Sequence, residues 1–328
     1  MKAIIWSKYG SADLLKLGEL KKPVPKDDEV LIKVKAATVT AGDCELRKFD
    51  IHPLFWLPLR LILGVFKPNR PTLGQEFAGE IEAVGNKVTT FKIGDQVFGG
   101  TGIRIGAYAE YRCQKASFPM VTKPKELSFE EAATITTGGI NGIHFLRNAN
   151  LKKGQKLLIN GAGGSIGTYA LQLAKLEGLH VTCVDSASKL NMLKSTGADE
   201  VIDFREIDFS KAGNKYNAII DVVGGISFSR CLESLNPGGK LVLGNPKTSH
   251  MFRSWWTNKT GTKKVKWKFA GDNVEDLNYL KQLMVEGKVK AIIDKSYPLD
   301  KVPEAHEYVD KGLKKGNLVI KIGAFALY

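Results

Sequence analysis

Between Lys2 and about Lys125 the apolar positions come in short alternating runs. Glu29-Val-Leu-Ile-Lys-Val-Lys35, Glu76-Phe-Ala-Gly-Glu-Ile-Glu-Ala-Val84 and Ala107-Tyr-Ala-Glu-Tyr111 are examples, cut apart by Gly, Pro and Asp. Period-two alternation marks strands with one wet and one buried face, so this stretch is expected to form a mostly antiparallel β domain. From about Ser128 the texture changes. Apolar strands at 156–161, 180–185, 200–204, 217–223, 240–245 and 265–270 take turns with helical patterns at 168–177, 188–196 and 227–235. Such alternation predicts α/β architecture, a doubly wound parallel sheet with helices on both faces. A helix is expected at about 275–287. Tyr297 to Gly312 and a strand from Asn317 to Ile322 then return to the less regular pattern and are expected to rejoin the first domain. The expected division is 1–125 with 290–328, and 126–289.

The first αβ junction carries the most specific signal. Lys156-Leu-Leu-Ile159 runs into Asn160-Gly161-Ala162-Gly163-Gly164-Ser165-Ile166-Gly167, and an apolar-periodic helix, Thr168 to Glu177, follows directly. Glycines let the backbone turn tightly and approach a pyrophosphate, while the helix N-terminus offers unpaired N–H groups and a positive dipole end. The strict G-x-G-x-x-G form fails, because the register ending at Gly167 reads Ala162-x-Gly164-x-x-Gly167. Context restores the reading: a strand precedes, a helix follows, and His180-Val-Thr-Cys-Val-Asp185 supplies a second strand ending in an acid about 20 residues on. Because this loop begins at residue 160, a whole domain must precede it.

At 328 residues the chain suits two domains, and its 43% hydrophobic and 25% charged content is that of a soluble globular protein. Met1-Lys-Ala-Ile-Ile-Trp6 reads as a strand and not as an apolar leader, and the stretch Leu54 to Phe66 is too short to span a bilayer, so a cytoplasmic location is expected. Cys44, Cys113, Cys183 and Cys231 are scattered without C-x-x-C spacing, which indicates reduced thiols and no clustered zinc site. The formal charge of +14 invites a nucleic-acid reading. The lysines are spread along the chain, however, and the densest group, Lys263-Lys-Val-Lys-Trp-Lys-Phe269, alternates as a strand does, so no nucleic-acid partner is expected.

These residues resemble the medium-chain dehydrogenase/reductase superfamily, on its zinc-free quinone oxidoreductase and enone reductase branch. The resemblance spans nearly the whole length. It rests on Arg70-Pro71 through Gly74-Gln75-Glu76 to Gly79, Phe91 to Gly99, Gly106 to Tyr111, the glycine loop, Gly197 to Asp203, Asp221-Val-Val-Gly224 and Lys314-Lys315-Gly316-Asn317, in that order. It implies a GroES-like catalytic domain, a Rossmann domain, and a cofactor held between them. Zinc-dependent relatives have a histidine where this chain has Gln75 and a cysteine ligand where it has Thr40, so no metal is expected. Without that Lewis acid, reduction of an already electron-poor quinone or α,β-unsaturated carbonyl is the expected chemistry. A zinc-independent alcohol or aldehyde reductase and a catalytically silent nucleotide sensor are the alternatives.

By the same resemblance Thr40, Asp43, Arg47 and Tyr108 are pocket candidates, with no catalytic residue assigned. Thr137 and Asn141 are expected near the nicotinamide and its phosphate, and Ala162, Gly164, Ser165, Ile166 and Gly167 around the pyrophosphate. Gly224 and Gly244 are expected at the carboxyl ends of sheet strands, and Lys315 and Asn317 closing over the cofactor. Asp185 to Lys189, with Ser186, bears on the cofactor. An acid at Asp185 favours NADH by bonding ribose hydroxyls, whereas Lys189 favours NADPH; the breadth of the resemblance tips the balance to NADPH. A homodimer formed through the strand near 265–270 is a further expectation of the resemblance. Leu54-Phe55-Trp56-Leu57-Pro58-Leu59 and Met251-Phe252-Arg253-Ser254-Trp255-Trp256 are read as aromatic loops over a cleft that admits apolar substrates, with some of them buried in a dimer contact; contact with a membrane surface is the alternative.

Overall fold

A computed structural model describes residues 1–268, 270–271 and 273–323. The chain forms two compact units, one from residues 1–137 with the chain from 272 onward and the other from residues 138–271. The first stretch contains β1 (Lys2–Trp6), β2 (Leu15–Glu19), β3 (Glu29–Thr38), α1 (Ala41–Lys48), α2 (Pro53–Leu63), β4 (Glu76–Val84), β5 (Gln96–Gly100), β6 (Tyr111–Lys115), β7 (Met120–Thr122) and α3 (Phe129–Ala133). The run Ala107 to Tyr111 is not a full strand. It makes one bridge, Ala109 to Ala3, and regular pairing starts at Tyr111, because Gly106 turns at φ +108° and Ala107 and Tyr108 go into the core.

The second unit contains α4 (Ile140–Ala149), β8 (Lys156–Asn160), α5 (Ser165–Leu176), β9 (His180–Asp185), α6 (Ala187–Ser195), β10 (Glu200–Asp203), β11 (Tyr216–Asp221), α7 (Phe228–Glu233), β12 (Leu235–Leu243), α8 (Thr248–Thr260) and β13 (Lys264–Lys266). Its sheet runs β10-β9-β8-β11-β12-β13 with every pair parallel. That is the doubly wound order, whose direction reverses between β8 and β11. β8 and β9 are buried almost throughout, as strands covered on both faces must be. The alternation in the lysine-rich segment holds in β13, where Val265 is buried between exposed Lys264 and Lys266. The strand ends at Lys266, short of the expected 265–270, and Phe269 lies outside the described residues.

The chain then adds α9 (Val274–Val285), β14 (Ile293–Pro298), α10 (Val302–Asp310) and β15 (Asn317–Lys321) to the first unit. Its main sheet runs β14-β15-β3-β4-β5-β7, with β6 also on β3. All these pairs are antiparallel except β14 with β15. The stretch 297–312 is more regular than its composition suggested. The unit boundaries also depart from those read in the composition: α3 lies on β3, β4, β5 and β15, and α9 lies on β7, so 126–137 and 273–289 belong with the β unit. Trp6, Leu15, Ile32, Phe77, Tyr108 and Leu318 are among the side chains that fill its core.

Both aromatic segments expected as loops are helical. Pro53 at the first turn starts α2, and Gly64, at φ +115°, ends it. Leu54, Leu57, Leu61 and Phe66 are exposed on and after it, and α8 carries three exposed aromatics. No helix among the described residues is long and apolar enough to cross a membrane.

Candidate functional site

The loop after β8 is built from close approaches that only glycine permits. Gly161 sits at φ +79°, and its N–H donates to Val184 O at 3.0 Å, tying the loop to β9. A Cβ on Gly161 would stand 2.6 Å from Val223 Cγ1, and one on Gly167 would stand 2.5 Å from the Ala162 backbone. The missing side chains therefore let α5 lie against the loop itself. Gly164 differs: a Cβ there would meet only Gly161 O, at 3.7 Å, so the loop is open at that point. Gly164 caps α5 without a side chain across the helix end, and Ser165, Ile166 and Gly167 form the first turn. The helix N-terminus and its positive end suit an anion, so Ala162 to Gly167 fit the pyrophosphate of a dinucleotide.

Asp185, at the end of β9, is committed to this loop. Its Oδ2 accepts the Gly163 N–H at 2.8 Å and its Oδ1 accepts the Ser186 N–H at 2.8 Å. Lys189 Nζ, one turn along α6, lies 3.0 Å from the same Oδ1. The two opposed signals for the cofactor are thus one nearly buried ion pair, which braces the glycine loop. At the point where the sheet order reverses, Asn160 Nδ2 donates to Asp221 Oδ1 at 2.9 Å, and the Gly224 N–H donates to the same oxygen at 2.9 Å. The Gly244 N–H donates to Asp221 O at 2.8 Å. Asp221 organises Gly224 and Gly244, and burial raises its pKa. The sequence reading named both glycines as site residues and quoted Asp221 only as part of the resemblance; an acid closing the fourth strand of the sheet was the signal for its role. Asn141 lies half-buried in the first turn of α4.

In the first unit three of the four pocket candidates meet. Thr40 caps α1: its Oγ1 accepts the Asp43 N–H at 3.1 Å, while Asp43 Oδ2 accepts the Thr40 N–H at 2.9 Å and its hydroxyl at 2.7 Å. Asp43 is fully buried, and burial pushes its carboxyl up to about 6. The Tyr108 hydroxyl donates to Thr38 O at 3.1 Å. Arg47 turns elsewhere: NH1 donates to Gly10 O at 2.9 Å and NH2 pairs with Asp310 of α10. It is a structural ion-pair residue because α10 packs on α1, a contact between segments more than 250 residues apart.

Glu76, quoted in the resemblance, was also not named as a site residue. It is fully buried at the head of β4, where its carboxylate accepts the Thr38 hydroxyl and, at 2.6 Å, the N–H of Thr137. Burial lifts its pKa to about 7 in spite of those bonds. Thr137 stands in a π-helical turn, Ile135–Gly139. Gln75 points its carboxamide at α1, where a Cβ on Gly42 would come within 2.9 Å of Nε2. Lys315 and Asn317 secure the return of the chain: the Lys315 N–H donates to Asp294 Oδ2 at 3.0 Å, and Asn317 Nδ2 donates to Ile292 O at 3.1 Å. Among the described residues no group of three or more His, Cys, Asp or Glu is placed to hold a metal ion.

A doubly wound unit with a glycine loop suited to a dinucleotide, joined in one chain to a mostly-β unit with buried carboxylates, fits a class: the nicotinamide-nucleotide oxidoreductases of two domains. Comparison with known proteins narrows it. The alcohol dehydrogenase GroES-like domain matches residues 26–125, and the zinc-binding dehydrogenase domain matches residues 196–320. The chloroplastic quinone-oxidoreductase homolog of Spinacia oleracea is 33% identical, over 98% of either chain. The 2-methylene-furan-3-one reductase of Solanum lycopersicum is 32% identical, over 98% of this chain and 79% of its own. The solved structure of the quinone oxidoreductase from Coxiella burnetii matches with a TM-score of 0.88 at 31% identity, over 98% of this chain and 99% of that one. The chain belongs to the medium-chain dehydrogenase/reductase superfamily, in its quinone oxidoreductase branch.

Proposed function

We propose that the protein is an NAD(P)H-dependent reductase of quinones and α,β-unsaturated carbonyls that works without a metal, and that it prefers NADPH. The observation that carries the reading is the glycine loop braced by the Asp185–Lys189 pair. A bound nicotinamide nucleotide supplies the hydride. The chain's part is to bind and orient: the start of α5 takes the pyrophosphate, and Asp221 holds the Gly224 turn at the reversal point of the sheet. Asp185 spends its charge on Lys189 and the Gly163 N–H, which weakens its repulsion of a 2′-phosphate, while Lys189 and Ser186 offer donors there. Preference for NADPH is therefore modest. Gln75 in place of an imidazole, beside Thr40 in place of a thiolate, supplies no donor set for a catalytic zinc, which is why electron-poor acceptors are the substrates. Glu76, raised to about 7, is partly protonated near neutral pH, whereas Asp43, raised to about 6, takes up a proton only below neutrality, and the Thr40 hydroxyl donates directly to Asp43.

The test is the initial rate of NADPH and NADH oxidation by metal-stripped protein against a naphthoquinone, a long-chain enone and an aldehyde. Turnover of quinone or enone without zinc, faster with NADPH, is expected. Aldehyde turnover alone, or nucleotide binding with no turnover of any acceptor, would overturn the reading.

A further inference from the structure

A long segment of this chain with a single sign of charge, dense in cations, surrounds an exposed aromatic face. Residues 234–271 contain eight Lys or Arg and no Asp or Glu, against an excess of 14 (48 basic less 34 acidic) for the whole chain. In the middle of that segment α8 turns His250 and Ser254 inward. On its outer side Phe252, Trp255 and Trp256 are 75%, 60% and 63% exposed, at the i, i+3, i+4 spacing that makes one stripe. Lys259 continues the stripe one turn on, with its ammonium 4.6 Å from the centre of the Trp255 ring. Arg253 is laid over the Phe228 ring at 4.4 Å and bonded to Ser229 Oγ, so a cation is also anchored beside the aromatics.

We propose that the α8 face is a docking surface for an anionic lipid bilayer, with Phe252, Trp255 and Trp256 seated at the headgroup level and the surrounding lysines on lipid phosphates. Large aromatics beside lysines, on a short helix that lies in the interface and does not cross it, are the composition such a surface selects. The attraction of the segment's cations to an anionic leaflet adds to the apolar burial. A second copy of this chain is the poorer occupant of the α8 face, because a two-fold interface sets a patch against itself and would bring Arg253 and Lys259 opposite their own copies. The proposal is independent of the substrate assigned above.

The experiment is co-sedimentation of the full protein with phosphatidylcholine vesicles that contain either no anionic lipid or about one-third phosphatidylglycerol. Measurements are made at low ionic strength and at about 0.5 M salt. Binding is expected to the anionic vesicles at low salt only, with a blue shift of tryptophan fluorescence. The double substitution Trp255→Ser and Trp256→Ser is expected to weaken it roughly tenfold or more. Thermal unfolding and turnover of a water-soluble quinone serve as folding controls for the variant. Equal binding to both vesicle types, or none to either, overturns the proposal. So does full anionic binding by the double variant, which would mark the segment as a site for any polyanion. A dimer that becomes a monomer on the double substitution, with no vesicle binding by the parent, would instead assign the face to a second copy.

Discussion

Replacing Glu76 with glutamine should make the protein more stable in mild alkali and change it little in mild acid. The parent carboxyl is fully buried on β4, and its pKa rises from an ordinary 4.5 to about 7. A raised carboxyl pKa means that the folded state holds the proton more tightly than the unfolded one. The group therefore costs no stability below about pH 4.5, costs progressively more as pH rises toward 7, and carries its full penalty above that. At about 1.4 kcal/mol per pKa unit, the full penalty is about 3 kcal/mol, most of it incurred between about pH 5 and pH 8. Glutamine fits the same bonds: its carbonyl can accept the Thr137 N–H, and its amide can donate to Thr38 Oγ1, whose hydroxyl is free to turn. The assay is thermal unfolding of parent and Glu76→Gln across that pH range. The two curves should separate by roughly 5 °C or more at the alkaline end and converge at the acid end. Parallel curves, or a variant that loses ground as pH rises, would show that the Thr38 and Thr137 bonds outweigh burial and that Glu76 is a settled carboxylate.

Three further outcomes follow from the geometry. Asp185→Asn keeps an acceptor for the Gly163 N–H while removing the charge, so the NADPH-to-NADH ratio of kcat/KM should rise about tenfold, and Lys189→Ala should lower it; an unmoved ratio in both variants would place neither side chain at the 2′ position. Gly164→Ala meets nothing in the protein closer than 3.7 Å and should leave the melting temperature unchanged while raising KM for the nucleotide, whereas Gly167→Ala, 2.5 Å from the Ala162 backbone, should lower both stability and affinity; equal melting temperatures would refute the packing argument. Arg47→Leu strands Gly10 O and leaves Asp310 with only Lys48, which should cost roughly 3 kcal/mol in urea unfolding with KM for nucleotide and quinone unchanged; a large KM effect would return Arg47 to the pocket.

What could be read in advance divides by the range of the interactions involved. Sequence-local features came through: the strand, glycine loop and helix, and the alternation that buries Val265 between two lysines. Asp185 and Lys189 read as competing signals, yet their i, i+4 spacing across the start of α6 already allowed the ion pair that the structure contains. Long-range partners were not legible. Arg47 finds Asp310 only because α10 packs on α1, and Glu76 is buried against Thr38 and Thr137, residues 38 and 61 positions away. The same limit moved the unit boundaries, since nothing local in Val274–Val285 says that its apolar side will lie on β7. Both aromatic runs, read as loops, are helical, and Pro53 does not break the first of them. Pro53 instead occupies the helix start, where its missing N–H costs nothing.

If α8 docks on lipid and the substrates are apolar quinones or enones, the two readings predict a separation of effects that neither predicts alone. A long-chain quinone dissolved in anionic vesicles reaches the enzyme by way of the bilayer, so its turnover should depend on residence at the surface, whereas a water-soluble naphthoquinone should be indifferent to it. The Trp255→Ser, Trp256→Ser variant, with α8 outside the loop and carboxylate clusters described above, should lose most of its kcat/KM toward the vesicle-borne quinone. It should keep its rate toward the soluble one. Raising salt in the parent should reproduce the same pattern by screening the segment's eight cations. A parallel fall for both quinones would trace the loss to the fold, and no fall for either would mean that the exposed face of α8 plays no part in substrate supply.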